Sequence, residues 1–563
     1  MRNTFISLLI ALLVSACAST TSQPDLVVIT VMGTNDVHGE LTERDDRGGM
    51  TTLSGYVAAI REARSEDGGL LLVDAGDMWQ GTLESNLNEG EAVVQIFNAM
   101  GYAGAAIGNH DFDFGPAGQK FIPEDEDDDP RGALRARASQ ADFPFLAANL
   151  IDTSTGEIVD WENVQASTLV RRVGVQIGIV GVLTEDTLAT TMSANTRGIE
   201  IGPLATAIEK QATRLRATGA TLVIVVAHAG GRCTEFDDPF DTSSCFMQGE
   251  IMRLAQALPK GLVDQIVGGH IDAGIAHDVN GIAITSAFKS TRAFGRVDFV
   301  IDRATGKVVE RRIYPPQVIC AGDAEGPCEY EGRPVTPMPE VLAIAERAQD
   351  VAARLKAEEL GVYLETPMTL HTRPESILGN LMTDAVLEDS DADISIHNVY
   401  GGIRAELPEG ELTYGSVFRM FPFDNRIAIV ELTGNDVRRI IETQAHSANR
   451  PAGFSGMRVF VSCNADQMAI QLVRPDGSAI SDDDTVRVLA NDFLLLGGDG
   501  IFVPVMPEGG FIMSNGTPMV RDVLVRWFKE RGGRMHADDF FDPDNRRWNR
   551  PDPMPPECRL SAD

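Results

Sequence analysis

Residues 26–40 read LVVITVMGTNDVHGE, in which an apolar run at 26–31 leads into a polar segment that contains Asn35, Asp36 and His38. The apolar run predicts a β-strand. Asp36 and His38 are two positions apart, and on an extended segment their side chains point the same way because strand side chains alternate with period two. The stretch therefore predicts a strand whose end presents a carboxylate and an imidazole to one site.

Four more polar clusters occur at the ends of predicted strands in the first 315 residues. Apolar runs at 70–73, 176–182, 222–227 and 265–267 alternate with helical patterns, which is typical of an α/β domain. The clusters are Asp74-Ala75-Gly76-Asp77, Gly108-Asn109-His110-Asp111-Phe112-Asp113, Ala227-His228-Ala229-Gly230 and Gly268-Gly269-His270-Ile271-Asp272. Because ligands bind at the carboxyl ends of strands in open α/β sheets, the five clusters predict one shared site.

The residue types of this site favour a metal centre. Carboxylate, amide and imidazole ligands together suit Zn²⁺, Mn²⁺ or Co²⁺, and no thiolate is needed. A single histidine beside glycine is more often a turn or core residue. Five clusters in order, each after an apolar strand, instead favour a shared metal site.

Length and composition limit the class of protein. A chain of 563 residues exceeds one compact core, so two domains are expected. Hydrophobic residues make up 43% and charged residues 23%, which excludes a disordered, collagen-like or polytopic membrane protein. The net charge of −34 argues against a nucleic-acid polymer as partner. A phosphate substrate would need positive charge from metal ions or arginines.

The first 17 residues predict an export signal. Arg2 precedes an apolar run at 5–16, which is too short to span a bilayer. The run ends Val14-Ser15-Ala16-Cys17, which resembles the lipobox of bacterial lipoproteins, so Cys17 is the predicted site of a membrane lipid anchor and 18–25 a tether. A plain signal peptide cut after Ala16 is the alternative. Either predicts the bacterial periplasm or cell envelope, and a lipid anchor predicts the outer membrane.

Cysteine usage agrees with export. Six cysteines remain after Cys17, and an even number in an exported chain indicates disulfides. Local pairing favours 233–245 and 320–328, which leaves 463–558. A structural zinc site is the alternative, although CxxC spacing is missing.

The chain divides into two predicted domains. A first domain at 26–335 is followed by a connecting segment at 336–360, in which Pro339–Leu360 predicts one exposed helix, and by an α/β domain at 361–563. The acidic run at 124–129 lies between two prolines. It predicts a solvated surface loop, with a Ca²⁺ site as the alternative.

The motifs NDVHGE, DAGDMWQGT, GNHDFDFG, VVAHAGG and GGHID, with FPFLAANL at 143–150, resemble one family. It is the 5′-nucleotidase/UDP-sugar hydrolase/2′,3′-cyclic-nucleotide phosphodiesterase family, and the resemblance covers residues 26–530. It implies an N-terminal calcineurin-like metallophosphoesterase domain with four α/β-β/α layers. It also implies a C-terminal α/β domain that selects the substrate.

The resemblance implies two divalent metal ions. One metal site would comprise Asp36, His38 and Asp272, the other Asn109, His228 and His270, and Asp77 would bridge both ions. Asp272 departs from the family, whose members usually place His or Gln there.

The same resemblance assigns the catalytic pair. A metal-bound water would attack the phosphoryl group in line. His110 would donate a hydrogen bond to the developing charge, and Asp113 would orient His110. Asp111 is the competing partner of His110.

Substrate contacts are implied in the C-terminal half. In NDFLLLGGDG at 491–500, Phe493 would stack on a base and Asp499 would accept hydrogen bonds from ribose hydroxyls. Phe423, in FPFD at 421–424, resembles the second aromatic of the base sandwich. Core packing is the alternative for either aromatic.

Two arginines are candidates for the substrate phosphate. Arg404 ends the loop Asn398–Arg404, which resembles the family's Asn-Gly-Gly-Gly-Ile-Arg with one residue more, and Asn398 is its candidate substrate contact. Arg373 precedes a helix that resembles the family's Arg-rich entry, and a surface ion pair is the alternative for either arginine.

The resemblance therefore implies an enzyme, an exported phosphoric ester hydrolase that acts on 5′-nucleotides. UDP-sugars and 2′,3′-cyclic nucleotides are alternative substrates. An alternative from another class is a non-catalytic surface lipoprotein that binds nucleosides on a degenerate scaffold, although the intact metal set argues against it. No obligatory protein partner is expected.

Overall fold

A computed structural model of the chain describes residues 25–555 except 119–121, 124, 126, 193, 322–327, 371–374, 389, 447–451, 465–466, 508–509, 512–516 and 552–554. Cys17, Arg373 and Cys558 lie outside the described residues, so the predictions for them stay predictions. Within the described part of the chain, no helix combines the length and the apolar character that crossing a membrane requires.

Two sheets form the centre of the N-terminal domain. The first has the spatial order β16 (Lys307–Val318), β15 (Ala293–Asp302), β1 (Leu26–Thr34), β2 (Gly68–Asp74), β3 (Ala105–Ala106), β4 (Phe145–Leu146) and β7 (Val164–Gln165). The second has the order β13 (Gly274–Val279), β14 (Ile282–Ala287), β12 (Gln265–Gly268), β11 (Leu222–His228), β9 (Val175–Leu183) and β8 (Ser167–Arg172). All five predicted strands are present.

The sheets pack face to face and helices cover their outer sides. Every residue of β11 is buried, as expected for a parallel strand covered on both faces. Apolar residues of β1, β2, β9 and β11 form the core between the sheets. The helices are α1 (Gly49–Ala63), α2 (Leu83–Asn86), α3 (Glu91–Met100), α4 (Gly132–Gln140), α5 (Leu204–Ala217) and α6 (Glu250–Ala257). The predicted four-layer α/β-β/α architecture is confirmed.

Minor strands and two disulfides complete this domain. The strands form one small sheet of β10 (Ile199–Ile201), β5 (Leu150–Asp152) and β6 (Glu157–Ile158), and another of β17 (Glu329–Tyr330) and β18 (Arg333–Pro334). Disulfides join Cys233 to Cys245 and Cys320 to Cys328, as local pairing predicts, so these four cysteines are not zinc ligands. Cys463 is also disulfide-bonded. In the acidic run, Asp129 lies at the surface and pairs with Arg135 at 2.7 Å.

The connecting helix α7 (Pro339–Lys356) is shorter and more buried than the sequence predicts. The prediction that the helix reaches Leu360 is wrong, because strand β19 (Glu359–Leu364) begins before that residue. The prediction that it is exposed is also wrong for one face. Val341, Ile344 and Ala348 on that face join the core that α1 and α3 form against the first sheet.

The C-terminal domain is a second α/β unit built on three small sheets. Their orders are β21 (Gly410–Thr413), β19 (Glu359–Leu364), β27 (Gly533–Met535); β22 (Ile427–Thr433), β26 (Thr485–Asn491), β20 (Ile394–His397), β23 (Gly453–Ser455); and β25 (Gln467–Val473), β24 (Arg458–Asn464), β28 (Trp548–Asn549). The helices are α8 (Ile377–Glu388), α9 (Val399–Gly402), α10 (Tyr414–Met420), α11 (Gly434–His446), α12 (Asp492–Leu495) and α13 (Val520–Arg531).

Candidate active site

A cleft of about 820 Å³ lies where the loops at the strand ends of the N-terminal domain meet the C-terminal domain. Most of the predicted site residues line it: Asp36, His38, Asp77, Asn109, His110, Asp113, His270, Asp272, Asn398, Arg404, Phe423, Phe493 and Asp499. His228 lies buried behind this lining, in contact with Asn109. The structure thus brings the predicted metal, catalytic and substrate residues of both domains to one place.

The first metal cluster consists of Asp36, His38 and Asp77, whose ligand atoms all lie within 4.8 Å of one another. The extended conformation predicted for the Asp36–His38 segment is wrong. Both residues have left-handed backbones, with φ of 48° and 50°. The cause is a neighbouring loop: Asp36 N donates to Gly76 O at 2.9 Å and His38 N to Asp77 O at 3.0 Å, so the segment turns to follow that loop.

Two backbone carbonyls fix the imidazole rings of His38 and His228. His38 Nδ1 lies 2.8 Å from the carbonyl oxygen of Gln80, and His228 Nδ1 lies 2.9 Å from that of Ala75. Since a carbonyl only accepts hydrogen bonds, each Nδ1 carries a proton and donates it. Each ring therefore directs Nε2 at the centre, as in metal sites whose histidines bond a carbonyl through the other nitrogen.

The second metal cluster gathers around the amide of Asn109. Its Oδ1 lies 2.9 Å from His228 Nε2 and 3.0 Å from His270 Nδ1. Its Nδ2 donates to Thr190 O at 2.9 Å, which fixes Oδ1 toward the imidazoles. Asp77 Oδ2 is 3.3 Å from His228 Nε2 and so lies between this cluster and the first.

The electrostatics of the clusters call for positive charge. Burial raises the pKa of Asp36 to about 6, and the Asp77 carboxylate adds to that rise. Burial also raises the pKa of Asp77, but His228, His110 and His38 together outweigh burial and hold that pKa well below its usual value. Burial lowers the pKa of His228, yet the carboxylate of Asp77 raises it to about 10 overall. Either a proton on His228 or a metal cation supplies the positive charge that Asp36 and Asp77 require. The donor set therefore fits divalent metal ions.

Asp272 stands apart from the first cluster. Its carboxylate lies 3.3 Å from Arg292 NH1 and 3.9 Å from Lys289 Nζ. Its side chain lines the cleft but does not join the group of Asp36, His38 and Asp77. The structure therefore shows Asp272 in ion pairs, and its role as a metal ligand stays a prediction.

His110 is held between a carboxylate and an arginine. Its Nδ1 lies 2.7 Å from Asp113 Oδ2, and the other oxygen of Asp113 accepts from Thr191 Oγ1 at 3.0 Å. Its Nε2 lies 3.0 Å from NH2 of Arg404. Because arginine only donates, Nε2 accepts here and the ring proton lies on Nδ1, directed at Asp113. The predicted His110–Asp113 pair is therefore present.

Asp111, the competing partner of His110, bonds backbone N–H groups instead. Its buried carboxylate accepts from the backbone N–H groups of Gly108, Asp77 and Met78, at 2.8, 3.2 and 2.9 Å. It thereby ties the second and third strand-end loops together. Gly108 is required at this junction, because a Cβ there would lie 2.2 Å from Asp77 Oδ1.

The substrate residues face the metal clusters across the cleft. The guanidinium of Arg404 lies 5.0 Å from the ring centroid of Phe423, whose ring is 6.0 Å from that of His110. Asn398 Nδ2 donates to Asp499 Oδ2 at 2.6 Å. The Asn398–Arg404 loop contains the short helix α9, and Asn398 and Arg404 both line the cleft.

Three residues of the cleft or its surroundings escaped the sequence argument: Gln80, Lys289 and Arg521. Gln80 Nε2 donates to Pro422 O at 3.3 Å across the two domains. Lys289 lines the cleft directly after β14, so the strand-end rule that found the metal clusters was able to find it too. Arg521 lies on a helix outside the cleft lining, and its contacts are described below.

Comparisons with known proteins agree with this architecture. Residues 352–507 match the family described as 5'-nucleotidase, C-terminal domain. The chain is 25% identical to Endonuclease YhcR of Bacillus subtilis (strain 168) over 496 residues, which are 86% of this chain and 38% of that relative. It is 24% identical to the 5'-nucleotidase of Vibrio vulnificus (strain CMCP6) over 542 residues, 91% of this chain and 92% of that protein.

Solved structures share the fold. The chain is similar to the crystal structure of a 5'-nucleotidase precursor from Thermus thermophilus, with a TM-score of 0.71 and 22% identity. The similarity covers 93% of this chain and 99% of that one. The chain is therefore similar to 5′-nucleotidases along most of its length and carries a match to their C-terminal domain, in agreement with the family resemblance of its motifs.

Proposed function

We propose that this protein is an exported two-metal phosphohydrolase that releases phosphate from 5′-nucleotides. One observation carries the proposal: a single cleft joins the Asp77-centred metal clusters, the Arg404–His110 contact and the aromatic residues Phe423 and Phe493. A nucleotide has a phosphate, a ribose and a base, and the cleft offers a group suited to each.

Two metal ions would be held by residues that the structure brings together. The first set is Asp36, His38 and Asp77, and the second is Asp77, Asn109, His228 and His270. When bound, such ions supply Lewis acidity toward phosphoryl oxygens and make water more acidic. Asp272 is proposed to complete the first set, which requires its carboxylate to leave the ion pairs with Arg292 and Lys289.

The chain's own groups would then stabilise charge on the phosphate. Arg404 is a fixed cation with several N–H donors, a suitable partner for phosphate oxygens. It now donates to His110, so a phosphate that takes this donation would release the Nε2 position of His110 to the substrate. Asp113 keeps the imidazole oriented during that exchange. Arg373 is proposed as a second phosphate contact.

The chain's acidity makes these cations important. Against a net charge of −34, the lysine and arginine side chains among the described residues of the cleft lining are Lys289 and Arg404. They stand beside the metal clusters, where the charge of a phosphate would lie. Seven aspartates share that lining, so the metal ions of the proposal would have to supply the rest of the positive charge that a phosphate needs.

The nucleoside would occupy the other end of the cleft. Phe423 and Phe493 would stack on the base, which is worth roughly 1–3 kcal/mol per base. Asp499 and Asn398, already bonded to each other, would meet the ribose hydroxyls. Phe493 rests on Gly498, where a Cβ would lie 2.5 Å from the ring.

Export is the remaining part of the proposal. It rests on the signal-like residues 1–17 and on disulfides at Cys233–Cys245 and Cys320–Cys328, which persist in oxidising compartments. We propose lipid attachment at Cys17 and a location in the bacterial periplasm or cell envelope. Mass spectrometry of the membrane-associated protein tests the attachment, and an unmodified N-terminus at Ala18 or Cys17 would contradict it.

The deciding experiment measures phosphate release from 5′-AMP, 5′-UMP, UDP-glucose and 2′,3′-cyclic AMP. Each reaction is run with EDTA and then with added Mn²⁺, Zn²⁺ or Co²⁺. We expect metal-dependent release that is fastest from the 5′-monophosphates. Faster turnover of UDP-glucose or of the cyclic nucleotide would move the assignment to that substrate. Tight nucleoside binding without any turnover would make the protein a binding module instead.

A further inference from the structure

Arg521 on helix α13 is a buried arginine whose contacts converge on the segment that carries Phe423. Its NH1 donates to the carbonyl oxygen of Phe423 at 3.0 Å, and its NH2 forms an ion pair with the carboxylate of Asp424. Its Nε donates to the hydroxyl of Tyr414 at 3.2 Å. The guanidinium also lies 4.8 Å from the ring centroid of Phe418. All three guanidinium nitrogens are therefore used.

A buried ion pair of this kind contributes little net stability, because removing two charges from water offsets their attraction. Apolar side chains of similar volume often serve as well for stability alone. The bond to the Phe423 carbonyl has an effect that apolar packing cannot reproduce. It fixes the peptide group of a residue whose aromatic ring lines the cleft.

The opposite side of the same segment is held by the N-terminal domain. Gln80 Nε2 and Asn86 Nδ2 both donate to the carbonyl oxygen of Pro422, each at 3.3 Å. Two successive carbonyls, those of Pro422 and Phe423, are thus bound from two domains. The Phe423 ring lies beside the site chemistry, 5.0 Å from the guanidinium of Arg404 and 6.0 Å from the ring of His110.

We propose that Arg521 is a positioning residue for recognition of the nucleotide base, acting by holding the backbone of Phe423 so that its ring faces the base. The proposal rests on the proposed function, because it assumes that Phe423 stacks on the base. Without Arg521 the Phe421–Asn425 segment keeps the backbone bonds at its two ends, Phe421 N to Val417 O at 2.9 Å and Val520 N to Asn425 O at 2.8 Å, but loses the bond that holds its middle at Phe423. The stacking surface is then less often in place, and binding of the nucleoside part weakens.

Arg547 supplies a matched control. It too is an arginine of the C-terminal domain that bonds a carboxylate, a phenylalanine carbonyl and a hydroxyl: Asp384 at 2.6 Å, Phe454 at 3.0 Å and Ser455 at 2.7 Å. Its partners do not belong to the described cleft lining. Arg547→Met therefore removes a similar set of arginine contacts from the C-terminal domain and leaves the contacts of Phe423 unchanged.

The test compares kcat and KM for 5′-AMP and for p-nitrophenyl phosphate, which has no nucleoside. We expect Arg521→Met to raise KM for 5′-AMP about tenfold and to lower the 5′-AMP to p-nitrophenyl phosphate ratio of kcat/KM by a similar factor. Arg547→Met should leave that ratio within twofold of wild type. Arg521→Lys keeps a cation for Asp424 and should restore part of the ratio. If Arg521→Met does not fold, the ratio measured for Arg521→Lys tests the proposal instead.

A double-mutant cycle isolates the route of the effect. In the Phe423→Ala background, Arg521→Met should change the ratio less than twofold further, since there is no ring left to position. Full additivity would overturn the proposal, as would an unchanged ratio in Arg521→Met and Arg521→Lys.

Adenosine binding, measured by calorimetry, separates this proposal from the proposed function, because it needs no hydrolysis. Weaker adenosine binding in Arg521→Met than in Arg547→Met supports the positioning role even if 5′-AMP proves a poor substrate. Equal adenosine binding in the two variants, or no adenosine binding by the wild type, would overturn it.

Discussion

Arg404 of the C-terminal domain donates a hydrogen bond of 3.0 Å to Nε2 of His110 in the N-terminal domain. This contact links the group predicted to bind the substrate phosphate with the group predicted to stabilise its transferring charge. Because His110 is also bonded to Asp113, a chain of three residues runs from one domain into the other. The proposed chemistry would therefore require both domains to be in place.

Metal removal should abolish hydrolysis, and Mn²⁺, Zn²⁺ or Co²⁺ should restore it. The reason is the buried cluster of Asp36, His38 and Asp77, whose ligand atoms converge within 4.8 Å. Asp77→Asn should be the most damaging ligand change, because its carboxylate lies against both clusters. Phosphate release and metal content by atomic emission measure this. Full activity in a thoroughly demetallated sample would refute the two-metal proposal.

His110→Ala should lower kcat by ~10²–10⁴-fold, the usual range for a positioned acid–base group. Its metal content should remain near that of wild type, since His110 contacts Asp113 and Arg404 and is not assigned as a ligand. Asp113→Asn should have a smaller effect in the same direction. Loss of metal from the His110→Ala protein would show that the role assignment is wrong.

Arg404→Met should reduce kcat/KM for every phosphoester substrate, by about 10²–10³-fold if it acts as one donor to the transition-state charge. The loss should be similar for 5′-AMP and p-nitrophenyl phosphate, because the contact is with the phosphate. Lys289→Met is the comparison variant, because it removes the cleft's other described cation. A loss confined to nucleotides would place Arg404 at the nucleoside instead.

Phe493→Ala should impair hydrolysis of 5′-nucleotides while p-nitrophenyl phosphate is much less affected. Removal of one stacking surface weakens base binding by roughly 1–3 kcal/mol, a factor of about 5 to 150 in affinity. The measurement is the ratio of kcat/KM for the two substrates. An unaltered ratio would mean that Phe493 is a core residue packed on Gly498.

Apart from Asp272, the sequence predicted which residues come together in the metal clusters but not how their backbones achieve it. Strand ends are visible locally, because an apolar run followed by Asp, Asn or His marks them. The left-handed turns at Asp36 and His38 are not visible, since they arise from bonds to a loop some 40 residues further along the chain. The buried face of α7 escaped for a related reason. Its alanines look neutral until α1 and α3 pack on them.

Arg521 shows the same limit at longer range. Nothing near position 521 signals a function, because its partners Phe423 and Asp424 lie about 100 residues earlier. A basic residue on a helix is most simply read as a solvated side chain. Only the folded structure reveals that this one is buried and bonded beneath the cleft.

The short junction after α7 has a consequence for how the two domains work together. The helix is packed on the N-terminal domain and ends at Lys356, and the first strand of the C-terminal domain begins at Glu359. A linker of two residues, Ala357 and Glu358, allows the two domains to rotate but hardly allows them to move apart. Arg404 is thereby tethered near His110 at a high effective concentration, so any opening of their contact would be reversed within one molecule.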